Sequence, residues 1–251
     1  MPDYLRFPIE TFTFGPKVLV INWPQTICNQ LNSKINQFEQ LVHDKIGQMI
    51  VESLTTYCSL TLYLNEPIKS GLTDYIKKLY ATFHANGYPK QESITWNIPV
   101  CYDLKFATDL ESLANYHSLS IQEVVKRHSQ PIYTVFFLGF LPGFPYLGGL
   151  DKQLFTPRLI QPRDRVSAGS VAIGQQQTGI YPIQSPGGWH IIGKTPIPIF
   201  NAKNKKPALF KQGDLIKFSA ISLEKYDAIL KSINKNTFNL DEIKMESNKN
   251  D

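Results

Sequence analysis

The chain has 251 residues, 42% of them hydrophobic and 19% charged, which supplies a substantial core and excludes a disordered tail. A formal net charge of +5 is too mild for a nucleic-acid-binding protein, which would show a long basic stripe or stacked aromatics on a recognisable motif. Cys28, Cys58 and Cys101 are widely spaced and lack any CxxC pattern, so they predict buried thiols in a reducing, cytoplasmic setting rather than a disulfide framework or zinc site.

The opening MPDYLRFPIETF carries acids and prolines where a secretion signal needs an unbroken apolar run, so export is not expected. Residues 4–22 predict two short strands around Gly15-Pro16, the second over Val18 to Ile21. Pro24 then fits the first turn of a helix whose apolar face is Ile27, Leu31, Ile35, Phe38 and Val42. Residues 48–64 predict two further strands. A second helix presents Leu72, Ile76, Leu79 and Phe83 on one face and ends at Gly87. Residues 92–102 return to strand. The order ββαββαβ predicts a small α+β sandwich, with helices on one face of a mainly antiparallel sheet.

Two capping boxes, Thr108-x-x-Glu111 and Ser120-x-x-Glu123, mark the starts of two short helices between residues 103 and 130. Beyond them 9 of the 17 prolines and 10 of the 15 glycines fall between Pro131 and Pro198, which excludes a helix bundle there. Strands are predicted at 132–137, 166–173, 179–183, 189–192, 197–200 and 215–218, a spacing that points to a barrel or sandwich. Residues 132–150 carry no charge and have the length of a membrane span. Gly139, Pro142, Gly143, Pro145, Gly148 and Gly149 interrupt them, so a buried strand and a loop are expected instead. After Leu230 the sequence is polar and rich in Asn and Lys, and much of it is expected to be mobile.

Only five of the 26 basic residues are arginine, and Arg158, Arg163 and Arg165 lie within eight positions. With Lys152 and Lys194 set against Asp151 and Asp164, the Pro131 to Pro198 window holds +3 of the net charge. Two accounts are equally open: a site neutralising a carboxylate or phosphate, and surface ion pairing with Asp164 and others. On extended backbone alternate side chains share a face, so Arg163 and Arg165 are expected together and Arg158 apart.

Gly188-Trp-His-Ile-Ile-Gly193-Lys194-Thr195 satisfies the phosphate-loop pattern GxxxxGK[ST]. That loop works by aiming a helix N-terminus at phosphate, whereas Trp-His-Ile-Ile reads as strand and Pro196 and Pro198 oppose a following helix, so the match is set aside. His128 falls at a helix end before an apolar strand, where a capping or core role outweighs catalysis; it is the one weak catalytic candidate. His190 sits in a strand, and His43, His84 and His117 carry no partner signal. No zinc spacing, GxSxG elbow or carboxylate pair appears.

The segments FLGFLPGFPYLGGL (137–150), TPRLIQPRDRVSAGSVAIG (156–174), QTGIYPIQSPGGWHIIGKTPIPIF (177–200) and GDLIKF (213–218) unite a Phe/Tyr-lined loop, an arginine cluster and a Ser-Pro-Gly-Gly-Trp turn. They closely resemble the family of the 5-oxoprolinase B subunit, which takes in the Kip-type histidine-kinase inhibitors and carries the labels allophanate hydrolase subunit 1 and carboxyltransferase subdomain C/D. The likeness is strong from Ile98 to Phe218 and weaker through Tyr57 to Tyr63. It departs at Asp103 to Leu110, where relatives often have a Gly-rich segment, at Lys194, where arginine is common, and at Ser167, where proline is frequent.

The resemblance implies an α+β protein: a small N-terminal α/β sandwich over residues 1–96, a cyclophilin-like β-barrel over 97–231, and a polar tail over 232–251. It further implies a subunit that is inactive alone. The complete complex, with a homologous carboxyltransferase-type subunit and a third subunit, would use ATP to open 5-oxoproline to L-glutamate. Two rival roles attach to the same family: inhibition of a sensor histidine kinase, and carboxyl transfer with a biotinylated partner. Neither a metal nor biotin is expected on this chain, and no membrane or nucleic-acid partner. The residues expected to bind substrate or anion are Arg158, Arg163 and Arg165, with Phe140, Pro142, Gly143, Phe144 and Tyr146 from the first motif. Gln177, Tyr181, Ser185, Gly187, Gly188, Trp189, Lys194 and Thr195 join them from the third.

Overall fold

The computed structural model describes residues 7–86 and 93–245. The chain divides into two compact units, Met1–Glu92 and Ser93–Asp251. In the first, β1 (Glu10–Thr13) and β2 (Val18–Asn22) form a hairpin, α1 (Asn29–Ile46) follows, and β3 (Ile50–Thr55), β4 (Ser59–Leu64) and α2 (Leu72–Asn86) complete the unit. Every pairing in the sheet, ordered β1-β2-β4-β3, is antiparallel. Alternation decides which side is buried: Leu19, Ile21, Leu60 and Leu62 turn inward against Leu31, Ile35, Phe38 and Val42 of α1 and Ile76 of α2. Trp23, Phe38 and Tyr80 meet edge to face, and the Trp23 indole N–H donates to Tyr80 Oη at 3.0 Å.

Two expectations change here. Helix α1 starts at Asn29, with Cys28 extended at the N-cap, so Pro24 lies in the connecting loop and Ile27 is exposed outside the helix. The seventh predicted element, at residues 92–102, does not join this sheet but belongs to the second unit. Gly87, expected to end α2, lies outside the described residues.

The second unit begins with that strand, β5 (Thr95–Cys101), followed by α3 (Leu110–Tyr116) and α4 (Ile121–Ser129). Strands β6 (Ile132–Leu138), β7 (Pro145–Gly148), β8 (Arg163–Val166), β9 (Ser170–Gly174), β10 (Gln177–Ile180), β11 (Ser185–Gly187), β12 (His190–Lys194) and β13 (Leu215–Ile221) come next. Helix α5 (Leu223–Asn234) and β14 (Lys244–Met245) end the described chain. The ladder β12-β9-β10-β7-β6-β13-β5 returns on itself where Lys194 of β12 pairs Cys101 of β5, closing a seven-stranded barrel. Its interior is filled by Ile98, Val100, Tyr133, Val135, Leu147, Val171, Ile173, Ile180, Ile192, Ile216 and Phe218, all buried. The protein is therefore α+β, with a small sheet-and-helix unit followed by a closed β-barrel.

Strands β5 and β13 run parallel in register from Thr95↔Leu215 to Ile221↔Cys101. The junction is locked by Asp214, 1% exposed, whose carboxylate accepts the Ile94 and Lys211 backbone N–H groups and the Trp96 indole N–H at 3.0 to 3.1 Å. Strands β8 and β11 form a separate two-stranded ribbon. The uncharged run 132–150 becomes β6, a loop and β7, paired antiparallel. No helix among the described residues is long and apolar enough to cross a membrane.

Several predicted elements shift. The strand expected over 166–173 breaks at Gly169, where φ is +80°, into β8 and β9. The one expected over 179–183 lies earlier, as β10. Residues 197–200 form no strand beyond an isolated Phe200↔Ala208 bridge, because Pro196 and Pro198 lack the N–H a ladder needs. The polar segment after Leu230 continues α5 to Asn234, then seats Ile243 in the core and pairs β14 with β5. Ser120 caps α4 as its box predicts, accepting Glu123 N–H at 3.1 Å. The other box fails: α3 is capped by Asp109, not Thr108, and the Asp109 side chain is used elsewhere.

Candidate functional site: two cavities flanking one ribbon

The first cavity, about 270 Å³, is lined by Phe140, Phe144, Tyr146, Arg158, Pro162, Tyr181, Pro186, Gly187, Gly188 and Trp189. Phe144 is its centre, meeting Tyr181, Trp189 and Phe140 nearly edge to face at centroid distances of 5.2, 5.5 and 5.9 Å. Glycines permit this crowding. A Cβ at Gly187 would stand 2.2 Å from Tyr181 Oη, and one at Gly174 would stand 2.6 Å from the Trp189 indole. Phe140 projects at the rim, 64% exposed, with φ at +66°, a left-handed conformation unfavourable for a bulky residue and common where function holds it. The Arg158 guanidinium carbon lies 5.9 Å from the Trp189 ring centre. Burial raises the Tyr146 and Tyr181 hydroxyls above the usual phenol range, more than the nearby arginines lower them, so both remain neutral hydrogen-bonding groups near pH 7. The result is an apolar, aromatic chamber with one cation at its edge, suited to a small ring that bears a carboxylate.

The second cavity, about 300 Å³, is lined by Lys105, Phe106, Thr108, Arg163, Arg165, Val166, Ser167, Ser170, Ile191 and Lys194. Its fixed point is Arg163. One amino group of that guanidinium donates to Asp109 Oδ1 at 2.5 Å, while Oδ2 of the same carboxylate accepts the Ile191 backbone N–H at 2.6 Å. Asp109 thereby leaves its helix cap unfilled to anchor a strand and an arginine. Burial lowers the Lys194 ammonium below the usual lysine range.

The arginines are thus divided: Arg158 edges the aromatic cavity and Arg163 and Arg165 the cationic one. Arg163 pairs with Asp109, not Asp164, and among the described residues Arg158 and Arg165 form no ion pair. Of the remaining sequence candidates, Phe140, Phe144, Tyr146, Tyr181, Gly187, Gly188 and Trp189 line the first cavity and Lys194 the second. Pro142, Gly143, Gln177, Ser185 and Thr195 line neither. Gly143, with φ at +77°, turns the loop against Phe200, Ser185 Oγ donates to Pro186 O, and Thr195 Oγ1 accepts Ile197 N–H. The phosphate-loop match lies along β12, whose backbone is paired with β9, so it does not fit a nucleotide's phosphates.

His128 is fully buried and away from both cavities. Thr178 Oγ1 donates to Ala172 O, so its lone pair must accept the His128 Nε2–H at 2.8 Å, which leaves Nδ1 to accept the Tyr102 hydroxyl at 2.7 Å. Burial lowers its pKa to about 3. The ring is a neutral core strut, and the weak catalytic role considered for it is not supported. Partners also exist where none was expected: His43 Nε2 contacts Ser53 Oγ and His117 Nε2 contacts Thr156 Oγ1, each at 2.9 Å. His190 donates to Pro157 O at 2.8 Å.

Sequence reasoning missed Lys105, Phe106, Thr108 and Asp109. All four lie in the segment that departs from the family pattern, and that departure was the one available signal. Among the described residues no group of three or more His, Cys, Asp or Glu is placed to hold a metal ion.

The chain belongs to the carboxyltransferase domain family, subdomain C and D, whose profile matches residues 9–210. Among its relatives, the 5-oxoprolinase B subunit of Bacillus subtilis (strain 168) is 35% identical over 237 residues, covering 89% of this chain and 97% of that one. The 5-oxoprolinase B subunit of Escherichia coli O157:H7 is 39% identical over 201 residues, covering 80% and 90%. The crystal structure of the K. lactis urea amidolyase matches with a TM-score of 0.75 over 95% of this chain and 16% of that longer protein; at 17% identity this likeness shows the fold alone.

Proposed function

We propose that this chain is the B subunit of an ATP-dependent 5-oxoprolinase, which opens 5-oxoproline to L-glutamate only when its partner subunits are present. The observation that carries this reading is 35% identity over 89% of the chain to a relative that bears that name. A homologous carboxyltransferase-type subunit and a third subunit complete the complex in this proposal. The lactam is an unactivated amide, so ATP supplies the activation: phosphorylating the amide oxygen would make a poor electrophile a good one. No nucleotide site is assigned to this chain.

The aromatic cavity suits the substrate. Trp189 and Phe144 offer faces and edges to the five-membered ring, Arg158 a counter-charge to its carboxylate, and the neutral Tyr146 and Tyr181 hydroxyls hydrogen-bonding groups for the lactam. The rival roles are not favoured, since the relatives carry the 5-oxoprolinase name and the urea amidolyase likeness speaks to fold alone.

The test is reconstitution with the two partner subunits, following glutamate release with and without ATP. Activity is expected only when all components are mixed. Turnover undiminished by leaving this chain out would overturn the reading. Within the complex, Arg158→Gln is expected to raise KM for 5-oxoproline by about tenfold, the scale of one lost charge-assisted hydrogen bond. An unchanged KM would remove Arg158 from the substrate site.

A further inference from the structure

The cationic cavity is unexplained by a site for 5-oxoproline, which has a single carboxylate. Its lining brings together Lys105, Arg163, Arg165 and Lys194 and includes no acid. Like charges held in one cleft repel, and an arrangement of this kind is relieved by an anion that all of them can reach. Asp109 offsets Arg163 alone, because its other oxygen accepts the Ile191 N–H, and Lys105, Arg165 and Lys194 are left without a counter-charge from it.

Two further observations concern the residues that line the cleft. The second amino group of the Arg163 guanidinium, Nη1, is buried with no hydrogen-bond partner among the described residues, although a buried donor left unmade is costly. The Lys105 and Lys194 ammonium groups lie 5.6 and 5.5 Å from the centre of the same ring, Phe106, and neither these lysines nor Arg165 form an ion pair among the described residues. Lys194 is partly withdrawn from water, and no acid stands among the residues that line the cavity with it.

We infer that this cavity is a phosphate-binding site, separate from the aromatic one, which holds a tetrahedral phosphate group between Arg163, Arg165, Lys105 and Lys194. A phosphate dianion offers several acceptor oxygens in three dimensions, which suits one anchored guanidinium fork and three further cations better than a flat monocarboxylate does. The β8–β11 ribbon contributes to both cavities. Pro162, just before it, and Gly187 within it border the aromatic one, while Arg163 and Arg165 border the cationic one. The inference does not depend on the 5-oxoprolinase reading, since it concerns binding by this chain alone.

The experiment is calorimetric titration of the full chain with inorganic phosphate, ATP and 5-oxoproline, repeated on Arg165→Gln, Lys194→Gln and Arg158→Gln. Phosphate or ATP is expected to bind with Kd below about 1 mM, and Arg165→Gln and Lys194→Gln each to weaken it by about tenfold, as loss of a charged hydrogen bond does. Arg158→Gln is expected to leave phosphate binding unchanged, which controls for a general loss of positive charge. ATP binding much tighter than phosphate would identify a nucleotide's phosphate chain as the ligand, and equal affinities would identify the free ion. No binding of either by about 10 mM would overturn the proposal, as would wild-type affinity in Arg165→Gln or an equal loss in Arg158→Gln. Arg165 is exposed and its replacement disturbs no core contact, so that variant decides the matter should Lys194→Gln fail to fold.

Discussion

The buried, neutral imidazole of His128 makes the protein sensitive to acid in a calculable way. Burial holds the His128 pKa at about 3 in the folded chain, against 6.5 for a free histidine. Between those values the unfolded chain binds a proton that the folded chain refuses. Stability from this group is therefore complete above pH 6.5 and is lost as pH falls towards 3. One proton gives a slope of about 1.4 kcal/mol per pH unit, so lowering pH from 6.5 to 4.5 costs about 2.7 kcal/mol and the whole window about 5 kcal/mol. The latter approaches the total stability of many domains. Urea unfolding of wild type and His128→Gln at pH 7.5, 5.5 and 4.5 separates this effect from that of the carboxylates. The variant is expected to be weaker at pH 7.5, since Tyr102 and Thr178 lose an ideal partner, but to lose about 2.7 kcal/mol less on acidification to pH 4.5. Equal losses in the two proteins would refute the reasoning. So would a nuclear magnetic resonance titration of wild type in which the His128 ring takes up a proton near pH 6.5.

Two other substitutions probe the cavities. Asp109→Asn keeps an acceptor for the Ile191 N–H but sets an amide against the Arg163 donor or removes the charge between them. It is expected to lower stability by about 1.5 to 3 kcal/mol in urea unfolding, and an unchanged midpoint would show the pair to be ornamental. Gly174→Ala puts a methyl 2.6 Å from an indole that is 5% exposed and wedged against Phe144 and Tyr146. Overpacking of that kind costs about 1 to 3 kcal/mol, so a lower Tm and altered Trp189 fluorescence are expected; wild-type values for both would mean the cavity wall yields freely.

Local patterns foretold much of this structure because local physics set it. Alternating apolar residues in Ser59 to Leu64 had only one face to bury, and the prolines and glycines between Pro131 and Pro198 excluded long helices there. Alternation along β8 also puts Arg163 and Arg165 on one side of the strand, and both border the same cavity. What was not legible depended on partners distant in sequence. Nothing within residues 92–102 says that this strand leaves the first sheet to pair with residues 215–221. Thr108-x-x-Glu111 is a sound local helix start, yet Arg163, 54 positions away, claims the neighbouring carboxylate and the cap moves to Asp109 without a capping bond. The cationic cavity was half visible: its arginines stood out, but Lys105 and Phe106 reach it from another part of the chain.

The parallel pairing of β5 with β13 bears on how the protein is made. Ile94 and Asp214, which lock that junction, are 120 residues apart, and β13 is the last of the seven barrel strands to leave the ribosome. Until it arrives, β5 and β6 each keep an unpaired edge and the interior stays open to water. Such an edge is a template for pairing with other chains, and closure over so long a loop is slow. A chain cut short before residue 215 would lose more than one strand, because the seam of the barrel would never be sewn. The nascent protein thus needs protection longest at Trp96 and Tyr133, residues that end up among its most securely buried.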